Sequence, residues 1–177
     1  MEVNTRLQVE HPVTELVIGL DLVRLQLEIA DGGSVPDTIT TAGHAIEARI
    51  YAEDPANDFL PVTGDVLRWD APVGANPRLC QPLVIDSGIR GGDTVSPFYD
   101  PTLAKVIALG ATRADAIRRL NYALAQIRLL GIRSNVAFLR RLLADSEFAA
   151  GEIDTGFIER HPELLREAPP PPWVWIA

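Results

Sequence analysis

Between Phe59 and Gly110 the chain has no room for a long helix. Pro61, Gly64, Pro72, Gly74, Pro77, Pro82, Gly88, Gly91, Gly92 and Pro97 fall at short intervals through it. Each proline removes a backbone donor, and each glycine loosens the backbone. What fits between such breaks is short strand and turn, and strands at roughly regular spacing predict an antiparallel sheet. Val66, Trp69, Val84, Ile85, Ile89, Val95, Val106 and Ile107 are its expected core. Just upstream, His44 to Glu53 alternates, with Ile46, Ala48, Ile50 and Ala52 facing one way and Glu47, Arg49 and Tyr51 the other. That is the pattern of another strand. Downstream the period changes to that of helices. Thr112 caps a helix to about Leu130, with Asp115 at the capping-box position and Ile117, Leu120, Leu124 and Ile127 facing inward. Gly131 stops it, and Ser134 caps a shorter helix through Val136, Leu139 and Leu143. Strands followed by helices make the fold class α+β.

Residues 1–15 carry the chemistry. Read with a period of two, Glu2, Asn4, Arg6, Gln8 and Glu10 share one face of an extended strand, and Val3, Thr5, Leu7 and Val9 the other. Alternation by itself also describes a half-buried strand with a solvated polar face. Here, however, the polar face sets two carboxylates around a guanidinium with an amide on each side of it. Carboxylate and amide oxygens are hard ligands suited to Mg²⁺, and a guanidinium clamps a planar oxyanion through parallel hydrogen bonds. On a straight strand Glu2 and Glu10 stand roughly 26 Å apart and serve separate purposes. Pro12 predicts a bend near Glu10 and His11 that turns Glu10 back toward Arg6. Residues 12–31 read as one helix, with Val13, Leu16, Leu20, Val23, Leu27 and Ala30 on a stripe, Glu15 near the positive end and Gly32 and Gly33 at the close. Residues 34–42 are a polar linker, which sets a boundary.

The run Glu-Val-Asn-Thr-Arg-Leu-Gln-Val-Glu-His-Pro-Val-Thr-Glu resembles, almost letter for letter, the signature of biotin carboxylases. These are the ATP-grasp component of acetyl-CoA, propionyl-CoA, methylcrotonyl-CoA and pyruvate carboxylases; carbamoyl-phosphate synthetases are the nearest confusable relatives. Gly-His-Ala-Ile-Glu-Ala-Arg-Ile-Tyr-Ala-Glu-Asp-Pro is similar to that family's second signature, and favours biotin carboxylases over the synthetases. The resemblance implies that Glu2 and Asn4 ligate the Mg²⁺ or Mn²⁺ bridging the phosphates of ATP. Arg6 is implied to grip bicarbonate with the help of Gln8 and the backbone of Val9, and Glu10 to be the base that deprotonates it. Arg49 is implied to stabilise the enolate of biotin presented on a carrier protein. The implied architecture is the last strand and helix of an ATP-grasp core over residues 1–33, then a biotin carboxylase C-terminal domain over 43–166. Residues 167–177, with Pro169 to Pro172, Trp173 and Trp175, are a tail or linker. Ser-Pro-Phe-Tyr-Asp-Pro followed by Lys105 resembles a strand-entry motif, and Lys105 reads as a structural residue partly buried against Asp100. Asp154 to Glu159 is similar to the family's last element, a match too short to carry a site.

Charge and composition narrow the remainder. A net charge of −8 argues against nucleic acid or an anionic membrane as partner. The single cysteine, Cys80, excludes an internal disulfide and reads as structural. No apolar run reaches transmembrane length, so the expected setting is cytoplasm or an organelle matrix. The sixteen basic residues include one lysine, Lys105, and no glycine cluster has phosphate-loop spacing, so most of an ATP site is lacking from these residues. By the resemblance, Met1 falls in the middle of a catalytic unit. The N-terminal biotin carboxylase and ATP-grasp regions, a carrier protein, a carboxyltransferase and a homodimer or larger assembly are then the expected partners. The alternative is a non-catalytic docking or dimerisation module. Arg118, Arg119, Arg140 and Arg141 read as a solvated helical face, and His11 and His44 as structural histidines.

Overall fold

The computed structural model describes residues 3–72 and 83–167. Glu2, Cys80 and the proline and tryptophan residues of the tail lie outside the described residues. In chain order the elements are α1 His11–Ile18, α2 Leu22–Ala30, β1 His44–Tyr51, β2 Glu53–Asp54, β3 Leu60–Pro61, β4 Gly64–Asp65 and β5 Arg68–Asp70. There follow β6 Leu83–Ser87, β7 Thr94–Val95, β8 Thr102–Gly110, α3 Arg113–Gln126, β9 Arg128–Leu130, α4 Val136–Ala144, α5 Ser146–Ala150 and α6 Phe157–Arg160. The fold is α+β with small antiparallel sheets, as expected.

β8 is the middle strand of a three-stranded antiparallel sheet with β1 and β6 at its sides. It is apolar along nearly its whole length because both its faces are covered. On one face Ala48 and Ile50 of β1 and Ala104, Val106 and Ala108 of β8 meet Ile117, Leu120 and Leu124 of α3. Ile50, Val106, Leu120 and Leu124 are almost completely buried there, each contributing roughly 1.5–3 kcal/mol. The alternation of β1 therefore reads correctly. On the other face the register aligns Glu47, Ile107 and Val84 in one row and Arg49, Lys105 and Asp86 in the next. α1 lies across the first row, where Ile107 is fully buried and Leu16 and Pro12 are buried with it. The second row emerges beside the start of α1.

Thr112 caps α3 by accepting from the Asp115 N–H. Gly110 is demanded by close approach, since a Cβ there would collide with the Asp115 side chain and the Ala116 backbone. A smaller cluster of Phe138, Phe157 and Leu164 seats the C-terminal turns, with Phe59 edge-on to Phe138 at 5.3 Å between ring centres. Among the described residues no helix is long and apolar enough to cross a membrane.

Several local expectations need correcting. The helix expected over 12–31 is two helices: Gly19 ends α1 in the left-handed region at φ 70°, and Asp21 caps α2 by accepting from the Arg24 N–H. Glu15 joins them, its carboxylate accepting from the Leu22 N–H at 2.8 Å. Residues 3–10 pair with no strand among the described residues, and Val3 is 86% exposed. An extended segment with no neighbour has no ladder to join. α3 ends at Gln126, and Arg128–Leu130 is a strand against β5, so Gly131 closes a strand instead of a helix. The residue before α4 is Asn135, whose side chain does not cap that helix.

Candidate functional site

The segment from Asn4 to His11 is shaped by its own turn. The His11 backbone and ring Nδ1 both reach the Gln8 carbonyl, the ring at 2.7 Å, and the Val13 N–H reaches the Glu10 carbonyl at 3.1 Å. Pro12 sits in the first turn of α1, where its missing donor costs nothing. The chain consequently turns at Val9 and Glu10. Arg6, Gln8 and Glu10 line one cavity of about 310 Å³, with Leu22, Leu25 and Ile29 of α2 forming an apolar wall. Arg6 and Glu10 are exposed, and the Arg6 guanidinium spends one donor on the Leu7 carbonyl at 3.1 Å. A guanidinium, an amide and a carboxylate around an open groove can hold a small planar oxyanion and take a proton from it.

Val9 points the site toward the sheet. Its carbonyl accepts from the Lys105 ammonium at 3.2 Å, and the same ammonium stands 3.5 Å from an Asp86 carboxylate oxygen. Lys105 is thus paired with Asp86, not with Asp100, whose carboxylate caps Thr102. Arg49 is exposed on β1, directly across the ladder from Lys105. Next to them is Glu47, with one carboxylate oxygen buried and lacking a hydrogen-bond partner among the described residues. Burial pushes the Glu47 carboxyl above the usual range; Lys105 and Arg49 pull it back, Glu10 pushes it further up and His11 pulls it down. Glu47, Lys105, Arg49, Glu10 and His11 therefore share one electrostatic neighbourhood.

Of the residues expected from sequence, Arg6, Gln8 and Glu10 come together, Val9 is tied to the sheet, and Arg49 stands on the adjoining strand. Asn4 is half-buried and outside the cavity lining, and Glu2 lies outside the described residues. No cluster of three or more His, Cys, Asp or Glu residues suits a metal ion among the described residues. Asn4 alone, one amide oxygen, does not make a Mg²⁺ site. His44 lies 3.4 Å from the Arg113 guanidinium, a structural contact. The arginines of α3 and α4 hold structural partners: Arg119 the Leu109 carbonyl, Arg140 the Asn121 amide and Arg141 the Leu164 carbonyl.

Sequence reasoning missed Asn135. It is 3% exposed, accepts from the Tyr51 N–H at 3.0 Å, and donates to the Arg49 carbonyl at 3.1 Å and to Glu53 at 3.0 Å. Its own N–H donates to the Tyr51 carbonyl at 3.2 Å. It therefore fixes β1 immediately after Arg49. The signal for Lys105 was there to be used: it is the only lysine, set in an apolar run.

Comparison with known proteins bears on these residues. Residues 47–160 match the family described as biotin carboxylase C-terminal domain, and residues 1–38 match the carbamoyl-phosphate synthase L chain, ATP binding domain. The chain is 48% identical over 164 residues to the mitochondrial methylcrotonoyl-CoA carboxylase subunit alpha of Rattus norvegicus, covering 91% of this chain and 22% of that protein. It is 45% identical over 164 residues to the biotin carboxylase of Halalkalibacterium halodurans, covering 91% of this chain and 35% of that one. The chain thus spans roughly a fifth to a third of the length of these relatives. Among solved structures, the biotin carboxylase domain of Hydrogenobacter thermophilus 2-oxoglutarate carboxylase, in complex with MgADP, ADP and bicarbonate, superposes with a TM-score of 0.86. That match has 32% identity and covers 94% of this chain and 36% of the other.

Proposed function

The chain belongs to the biotin carboxylase family, and from that premise we propose that it is the C-terminal part of an enzyme that uses ATP and bicarbonate to carboxylate biotin on a carrier protein. The observation that carries the reading is the meeting of Arg6, Gln8 and Glu10 on one cavity beside the strand that bears Arg49. Bicarbonate is a poor nucleophile until it loses its proton. Held by the Arg6 guanidinium, Gln8 and the Val9 backbone, it gives that proton to Glu10, and Arg6 offsets the charge that develops. The carbonate oxygen attacks the γ-phosphorus of ATP, the bond to ADP breaks, and carboxyphosphate forms. Carboxyphosphate breaks to CO₂ and phosphate. The phosphate just released takes the ureido N–H proton of biotin, and that nitrogen attacks CO₂, with negative charge developing on the ureido oxygen facing Arg49. Glu2 and Asn4 are assigned to Mg²⁺ or Mn²⁺ on the family likeness alone, and none of these steps passes through the ion.

The carrier protein and a carboxyltransferase are the proposed partners, within an acyl-CoA carboxylase. The phosphate-holding lysines and glycine-rich lid of an ATP site are not among these residues, so activity is assigned to the full-length protein. The test uses that protein with Arg6→Ala and Arg49→Ala. Arg6→Ala lowers bicarbonate-dependent ATP cleavage by on the order of 10²–10³. Arg49→Ala lowers carboxylation of biotin by a similar factor while sparing more of the ATP cleavage. Wild-type rates of both reactions in both variants overturn the reading.

A further inference from the structure

We propose that Lys105 is a positioning residue that sets the bicarbonate-holding segment Gln8-Val9-Glu10 in register with Arg49; this rests on the function proposed above. Three observations converge on it. Among the described residues, the bond from Lys105 to the Val9 carbonyl is the one hydrogen bond that ties residues 3–10 to the sheet; their other bonds are local. Lys105 also lies directly across the ladder from Arg49. Its side chain is only 16% exposed and it interrupts an apolar strand between Ala104 and Val106, which are 3% and 0% exposed.

A mostly buried ammonium is expensive unless its donors are satisfied, and an apolar residue at this place in the strand would be simpler to bury. What an apolar residue lacks is the reach to Val9. Asp86, in the same row of the sheet, stands 3.5 Å from the ammonium and holds it on the near side of β8. The Val9 carbonyl lies in the peptide that leads into Glu10, so its placement carries the carboxylate with it. Glu10 and Arg49 belong to separate stretches of chain, and Lys105 is the side chain that meets the first and adjoins the second. Displacements of about 1 Å at reacting groups cost on the order of a hundredfold in rate.

The experiment uses the full-length carboxylase with Lys105→Met, Lys105→Arg and Asp86→Asn, and measures KM for bicarbonate, KM for ATP, kcat and the melting temperature. Lys105→Met is expected to change kcat/KM for bicarbonate by on the order of ten- to a hundredfold with KM for ATP nearly unchanged. Lys105→Arg, which keeps a donor, is expected to recover part of the loss. Asp86 is 46% exposed, so Asp86→Asn keeps the fold, and it is expected to move bicarbonate kinetics in the same direction by less. A purely structural lysine lowers the melting temperature and leaves the bicarbonate-to-ATP comparison unchanged, which overturns the proposal. If Lys105→Met does not fold, wild-type bicarbonate kinetics in Asp86→Asn do the same. Arg6→Ala separates the two readings: if it too is wild-type toward bicarbonate, the proposed function falls, whereas its loss beside intact Lys105 variants removes the positioning role alone.

Discussion

At the scale of single residues, Asn135 holds β1 at Arg49, donating to the Arg49 carbonyl and accepting from the Tyr51 N–H. Arg6, Gln8 and Glu10 announce themselves by type and spacing, because a guanidinium, an amide and a carboxylate on alternate positions have a recognisable use. Asn135 does not. A sequence reading assigns the helix cap to Ser134, since Ser and Asn are equally good caps and nothing local shows that the asparagine is buried. Its side-chain hydrogen bonds and the one from its own N–H all run to Arg49, Tyr51 and Glu53, more than eighty positions away. Asn135→Ala leaves the Tyr51 N–H, the Arg49 carbonyl and Glu53 without these partners. The expected cost is about 2–4 kcal/mol in urea unfolding. A loss below about 0.5 kcal/mol would show that water replaces the asparagine at no cost.

Elements were legible where their pattern is local. The alternation of β1 and the inner stripe of α3 depend on neighbours in sequence, and both are where the periodicity puts them. β9 has three residues, and only its pairing with β5 makes it a strand. The break between α1 and α2 is masked because Leu16, Leu20 and Val23 keep a helical spacing across it, although Gly19 and Asp21 are stop and start signals. At the C-terminal end, α5 and the turn after α6 are joined by His161, which stacks on Phe157 and meets Glu163 at 3.1 Å and Glu147 at 3.3 Å. Burial works against charging this ring, but the two carboxylates outweigh it and hold its pKa above the ordinary 6.5. A raised folded pKa means that its stabilisation is complete below the unfolded value and fades as pH rises through the folded one. The stability difference between wild type and His161→Gln is therefore expected to be larger at about pH 5.5 than at about pH 8.5. A difference independent of pH would show that stacking, not charge, fastens this end.

At the scale of the whole molecule, chemistry and scaffold come from opposite ends of the pattern problem. The scaffold is a β1-β8-β6 sheet with α3 on one face and α1 on the other, and it brings residue 9 against residue 105. No reading by period or by motif reaches across that interval, which is why the sequence points Lys105 to Asp100 although its partners are Asp86 and Val9. The motifs carry the groups proposed to react, and the sheet sets where Val9 stands relative to Arg49. Most rests on Glu10, the one residue proposed to carry a proton. The most direct test is bicarbonate-dependent ADP formation by the full-length carboxylase with Glu10→Gln, which keeps the shape and removes the base. The expected result is a fall in kcat by on the order of 10²–10⁴ with ATP still bound. A rate within about twofold of wild type would contradict it, because bicarbonate would then lose its proton to some other group.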